Sequence, residues 1–360
     1  MQNRNRSIPG AGSDSRRAEP SAATGRASHG GTVWQTVKQL PNDPHIYLSV
    51  MGEWYAYNPF QQPLGSGAMG TVFLGFRCRD RAPVAVKRVI DSYANNPQIR
   101  ERARLEASLA FRHQNLVEML GYCEYAPDHG PIFLLSNYVQ GEDIDKYVRN
   151  FAASPERVEK TCVAICQVLD ALDYVHSKDI IHRDIKPSNI MVENGSNVRL
   201  MDLGIAKMTS GNPYSQYGFI GTPEYSAPEQ VRGDKDGINK TTDIYALGIT
   251  FYELLAGTNP MACPTEIETL TKQLKEELPS SPMIPMPLMN VIWKATAKNQ
   301  GDRYQTAMEF KNDILLALQE EPSIWQRCCY WIQEHSILFV GIVAAIAAIA
   351  MTLIIIILNN

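Results

Sequence analysis

The 360-residue chain predicts an α+β fold in which a smaller strand-rich part precedes a larger helical part, with one membrane-spanning helix after both. Three observations predict it. Residues 46–89 carry strand-like apolar runs broken by glycine, and two more strand-like runs follow at 116–125 and 132–138. Beyond residue 158 apolar residues recur at helical spacing. Residues 337–358 form an apolar run without a charge, long enough to span a hydrocarbon core.

Composition narrows the classes. A formal net charge of −4 supplies no global basic field, which excludes nucleic acid as the expected partner. Cys78, Cys123, Cys162, Cys166, Cys263, Cys328 and Cys329 form no repeated CxxC pairs, so neither a zinc site nor a disulfide framework is signalled and a reducing compartment fits. Residues 1–45 are rich in Ser, Gly, Ala and Arg with few apolar neighbours, and are expected to be a disordered tail. No apolar stretch follows the early arginines, so no signal peptide is expected.

Along the chain, Leu64 leads into Gly65, Ser66, Gly67, Ala68, Met69 and Gly70, followed by Val72, a G-x-G-x-x-G-x-V pattern. Glycine lets backbone approach phosphate oxygens closely. Residues 71–76 read as another strand rather than a helix, which favours a flap between strands over a dinucleotide fingerprint. Lys87 then sits on the apolar run 83–89, where a lysine needs a partner. Glu106, in the helix-like run 98–112, is the candidate.

A long buried helix is expected over 158–177. The loop 181–189 follows, with Asp184, Lys186 and Asn189 at offsets zero, two and five, a spacing that suits a tight loop. There an Asp can orient a hydroxyl and take its proton, a Lys can neutralise a moving phosphoryl group, and an Asn can offer oxygen to Mg2+. A hairpin over 189–201 ends at Asp202, a carboxylate placed to hold Mg2+ against phosphates. Residues 205–220 are polar and rich in hydroxyls. Helical runs are expected from 241 through 255, at 288–297 and at 306–318. Trp325, Tyr330 and Trp331 precede the apolar run as interfacial aromatics do, with Lys311 and Arg327 on the same side, so the preceding domain is expected in the cytoplasm and the C-terminus across the membrane.

The string 181–189 resembles the catalytic loop of protein kinases, with Ile185 where that pattern has Leu. Together with the glycine pattern, Lys87 within 83–89, Asp202-Leu203-Gly204 and the 221–229 string ending Ala227-Pro228-Glu229, it makes residues 54–318 similar to Hanks-type serine/threonine kinases of bacterial type. Leu203 departs from the usual Phe. The resemblance implies a bilobal fold with an N-lobe at 46–135, a hinge at 136–141 and a C-lobe at 142–318, then a juxtamembrane segment at 319–336 and the span. It implies ATP and Mg2+ (or Mn2+). Leu64 to Gly70, Val72, Ala85, Lys87, Asn137 and Val139 would surround the nucleotide, with Ser136 as gatekeeper. Lys87 would be held by Glu106, Asn189 and Asp202 would hold metal, and Asp184 and Lys186 would act on the transferring group. Arg183 would receive a phosphate from the activation segment, where Thr209, Ser210, Ser215 and Thr222 lie. Asp243 would hold the catalytic loop's backbone and Arg303 would pair with Glu229. Expected partners are protein substrates, membrane lipid, and a second copy meeting through the span or the N-lobe. With no sensor repeats expected after the span, signals would arrive through partners, dimerisation in the membrane, or the N-terminal tail. A pseudokinase scaffold and a small-molecule or lipid kinase are the other two readings. The motif residues needed for chemistry oppose the first, and the 221–229 string with Lys186-Pro187 opposes the second.

Overall fold

The computed structural model of the chain describes residues 37–67, 70–89, 97, 100–101, 103–104, 111–125, 129–151, 154–202, 214–215, 218–219, 222–319 and 351. Its first half is an antiparallel sheet. Strands β1 (Val37–Gln39), β2 (Ile46–Val50) and β3 (Glu53–Tyr57) form a meander. Strands β4 (Gly65–Gly67), β5 (Gly70–Arg77), β6 (Pro83–Val89), β7 (Met119–Glu124) and β8 (Ile132–Asn137) follow. The order across the sheet is β1-β2-β3-β5-β6-β8-β7, with β4 also on β5.

Side-chain alternation gives this sheet two distinct faces. Phe73, Val84, Val86, Phe133 and Leu135 bury on one face against Leu48, Val50, Tyr55 and Tyr57 of the meander. Val72, Ala85 and Lys87 fall on the other, where Val89, Ile132 and Leu134 pack with Ala103.

Strand β1 corrects the expectation that all of 1–45 is a disordered tail. Val37 pairs with Leu48 and Gln39 with Ile46, and Lys38 Nζ lies 5.1 Å over the Trp54 ring. Asp43 ties the turn: its carboxylate accepts from His45 N at 2.9 Å and Tyr47 Oη at 2.8 Å, and lies 2.7 Å from His45 Nδ1. Those hydrogen bonds pull the Asp43 carboxyl down to about 2. Residues 1–36 lie outside the described residues.

The second half is helical. A short strand β9 (Gly141–Asp143) leads into helix α1 (Ile144–Arg149), whose first turn Asp143 caps by accepting from Lys146 N. Helix α2 (Pro155–His176) is capped by Ser154 and buries Val158, Cys162, Ile165, Leu169 and Leu172, a stripe at helical spacing. Strands β10 (Ile190–Glu193) and β11 (Asn197–Leu200) pair across a turn in which Asn194 and Gly195 have φ of 52° and 71°. Helices α3 (Pro228–Arg232), α4 (Lys240–Ala256), α5 (Glu266–Lys275), α6 (Met286–Ala295) and α7 (Ala307–Ala317) complete this half.

Helix α4 is buried almost all round and centres the core. A Cβ on its Gly248 would sit 2.6 Å from Thr296 Cγ2 and 3.0 Å from Ala295 Cβ, so glycine is what lets α6 approach. Helices α1 and α5 go beyond the sequence expectation. In α5 Ile267, Leu270 and Leu274 do fall at helical spacing, a short stripe that the sequence reading passed over, and of these only Leu270 is fully buried. Among the described residues no helix is long and apolar enough to cross a membrane. The run 337–358 lies outside them except for Met351.

Candidate active site

The loop between α2 and β10 is shaped from behind by a fully buried carboxylate. Asp243, in the first turn of α4, accepts from His182 N at 2.8 Å and Arg183 N at 2.7 Å, and lies 2.8 Å from His176 Nε2. A charge removed from water persists only with such donors. They hold Arg183 in a left-handed conformation at φ 65°. His182 Nε2 lies 2.9 Å from Met201 O, tying the loop to the chain after β11. Burial pushes the His182 imidazole below its ordinary range.

From this backing three loop side chains converge. Asn189 Nδ2 donates to Asp184 O at 2.8 Å and Oδ2 at 3.1 Å. Lys186 Nζ lies 3.4 Å from Asp184 Oδ2 and donates to Thr222 Oγ1 at 2.9 Å. Thr222 Oγ1 in turn donates to Asp184 Oδ1 at 3.4 Å. Met201 N donates to Asn189 O at 2.9 Å, which sets Asp202 beside Asn189. Asp202 has φ 45°, and its half-exposed Oδ2 accepts from Lys87 Nζ at 2.7 Å. Lys87 arrives from β6, so sheet and helical half meet at this ion pair.

Around Lys87 the strands build a roof. Val72 is its cross-strand partner, and Ala85 stands between Leu74 and Ser136. Gly65 pairs with Val72 and Gly67 with Gly70 at the flap, and Leu64 N donates to Val72 O at 2.8 Å. A Cβ on Gly70 would run into the carbonyl of Arg88, whereas Gly65 and Gly67 face open space. Asn137 N donates to Glu118 O at 3.0 Å, and Val139 is buried.

Glu229 and Arg303 form a two-pronged buried pair, with both N–O distances 2.9 Å, and Thr242 Oγ1 donates to Glu229 Oε1 at 2.7 Å. Burial alone would raise the Glu229 carboxyl, but the Arg303 guanidinium outweighs it and holds the carboxyl low. Arg183 Nε is buried with no hydrogen-bond partner, and burial pushes its guanidinium below the usual range. The sequence reading missed the Tyr225 Oη bond to Glu253 Oε2 at 2.6 Å, which joins the 222–226 segment to α4. It also missed the ion cluster in which Arg100 and the partly exposed Arg104 meet the buried Glu124. No local spacing signals either. Ala68, Met69, Glu106, Leu203, Thr209 and Ser210 lie outside the described residues, and Ser215 is described only as backbone in a strand Tyr214–Ser215.

A family model for the protein kinase domain matches residues 59–316. The serine/threonine-protein kinase PrkC of Bacillus subtilis is 32% identical over 265 residues, covering 72% of this chain and 40% of PrkC. The serine/threonine-protein kinase PknB of Mycobacterium tuberculosis is 34% identical over 270 residues, covering 72% of this chain and 42% of PknB. The chain thus matches less than half the length of these relatives. Among solved structures, the Mycobacterium tuberculosis PknI kinase domain superposes with a TM-score of 0.54 at 24% identity, over 75% of this chain and 97% of that one. A likeness at that identity speaks for the fold alone.

Proposed function

The chain belongs to the protein kinase family, and we propose that it transfers the γ-phosphoryl group of ATP to serine and threonine hydroxyls of proteins. The observation that carries this is the run of contacts that brings Lys87, Asp202, Asn189, Asp184 and Lys186 together from strands and loops far apart in sequence. The donor set suits a hard cation. Asn189 commits its amide nitrogen to Asp184, which leaves its oxygen as the ligand face, and Asp202 supplies a half-exposed carboxylate. Two protein oxygens plus substrate phosphates are what Mg2+ ordinarily takes. When bound, the cation neutralises charge on the phosphates.

The chain's own residues do the rest. Asp184 orients the substrate hydroxyl and accepts its proton, while Lys186, 3.4 Å from it, stabilises the charge moving between donor and acceptor. Lys87 holds the α- and β-phosphates and Glu106 holds Lys87. The flap 64–70 covers the phosphates, and Val72, Ala85, Asn137 and Val139 surround the adenine. Residues 337–358 anchor the chain in a membrane with the kinase domain on the cytoplasmic side. Autophosphorylation falls within 209–222, and Arg183, with its buried unbonded Nε, receives the phosphate. Thr222 is the least suited acceptor there, because Lys186 and Asp184 already engage its hydroxyl.

The test is labelled ATP with a generic basic protein. The native chain should label Ser and Thr, and Asp184→Asn should lose roughly 10²–10⁴-fold in rate. Mass spectrometry of the same reaction should place the chain's own phosphate within 209–222. Equal labelling by both proteins would sink the assignment.

A further inference from the structure

Helix α5 presents a fully buried amide to the segment that begins at Thr222. Gln273 is 0% exposed, and its Nε2 donates to Glu224 O at 2.6 Å and to Pro223 O at 3.2 Å. Its Oε1 accepts from Tyr245 Oη at 2.6 Å. That hydroxyl in turn accepts from Lys298 Nζ at 2.7 Å, which leaves its own proton for Gln273 and so turns the amide nitrogen toward the two carbonyls. A buried amide is costly unless its oxygen and nitrogen both find partners, and here both do. Ser226 N reaches Pro223 O at 3.2 Å and Asn259 Nδ2 reaches Glu224 O at 3.3 Å. Gln273 differs from these in tying both carbonyls, through one side chain, to α4 and α5.

The backbone held in this way borders the acceptor. Thr222 Oγ1 accepts from Lys186 Nζ at 2.9 Å and donates to Asp184 Oδ1 at 3.4 Å. Residues 222–225 are half-buried, so part of the segment stays open, while 226–229 are buried. An acceptor hydroxyl at Asp184 belongs to a chain that advances at most about 3.6 Å per residue, so its nearest neighbours lie within reach of these residues. We propose that Gln273 is a positioning residue for the protein substrate: it fixes the backbone of Pro223 and Glu224, the edge along which the acceptor chain lies. The proposal rests on the reading of Asp184 and Lys186 as the groups that act on the acceptor.

The test uses the full chain, labelled ATP and the same generic basic protein, with hydrolysis of ATP by water measured on each preparation without acceptor. Water needs no edge to lie along. Gln273→Met keeps the side chain's length and removes both donors. It should raise KM for the acceptor protein, and lower the ratio of protein labelling to ATP hydrolysis, by about tenfold or more, with KM for ATP within about twofold of native. A variant that only loses folded enzyme lowers both reactions together and moves neither KM. Tyr245→Phe removes the hydroxyl that orients the amide. It should shift the ratio in the same direction, and it carries the comparison if Gln273→Met does not fold. Equal falls in labelling and hydrolysis would make Gln273 a stabilising residue alone and overturn the proposal, as would a ratio equal to native. Asp184→Asn labelling the acceptor as fast as the native chain would overturn the reading of the site, and the proposal with it.

Discussion

Ser136 and Lys298 each turn a packing detail into a measurable property. Ser136 stands opposite Ala85 and Met119 on the sheet face that carries Lys87. If the proposed adenine site lies beside it, a short side chain there leaves room that Met would fill. Adenine analogues with a bulky substituent should therefore inhibit the native enzyme, and Ser136→Met should weaken that inhibition roughly tenfold or more, since overpacking costs 1–3 kcal/mol, while ATP is still used. Unchanged inhibition curves would mean the hinge lies elsewhere. Lys298 Nζ donates to the buried Tyr245 hydroxyl at 2.7 Å, with Arg303 over the same ring. Burial, and then Arg303, push Lys298 down to about 8 from 10.5. Between those two values the unfolded chain holds the proton and the folded chain has released it, so this group makes stability rise with pH in that window. Urea midpoints of the native chain minus those of Lys298→Met should climb from pH 8 to pH 10. A flat difference would show that Lys298 stays charged.

The meander β1–β3 shows how an element outside a family's matched region can still belong to its core. It ends at Tyr57, before the match begins at residue 59. Yet Leu48, Val50 and Tyr57 are fully buried, against Phe73 and Val86 of the strands that carry the flap and Lys87. Cys123 shares that core, and burial pushes its thiol up to about 12. Leu48→Ala should cost about 2–5 kcal/mol, the range for a buried leucine whose site cannot collapse. Urea unfolding would check it, and a cost below about 1 kcal/mol would mark the meander as a loose appendage. The element was half legible. Alternating apolar residues in 46–57 mark strands, but β1 has Val37 as its lone apolar residue and gains its place from pairing with β2.

The whole chain joins a sheet and a helical body through Lys87 and Asp202, 115 residues apart. Its proposed attachment to a membrane rests on a separate segment. The run 337–358 carries no charge that lipid would have to hide, and as a helix it would satisfy its own backbone groups there. Truncation before residue 337 should release a soluble enzyme that still turns over ATP. Recovery of the truncated protein in the membrane pellet after a carbonate wash would place the anchor elsewhere.

By itself the sequence set the spacing of the candidate chemistry-bearing stretches. Asp184, Lys186 and Asn189 lie within six residues, and the flap glycines within another six, so their spacing is readable without a fold. It also determined the strands and helices with strong apolar periodicity, such as α2 and β6. Tertiary structure decided everything that depends on charges and hydrogen bonds meeting across long separations. Asp243 reaches His182 and Arg183 from some sixty residues away, Arg303 reaches Glu229 from 74, and Arg104 reaches Glu124 from 20. Resemblance to a family could name the first two pairs but not their distances, and it did not name the third. The reason is physical. A buried ion has no local periodicity to betray it, and what makes it tolerable is a partner that only the folded chain brings within 3 Å or so.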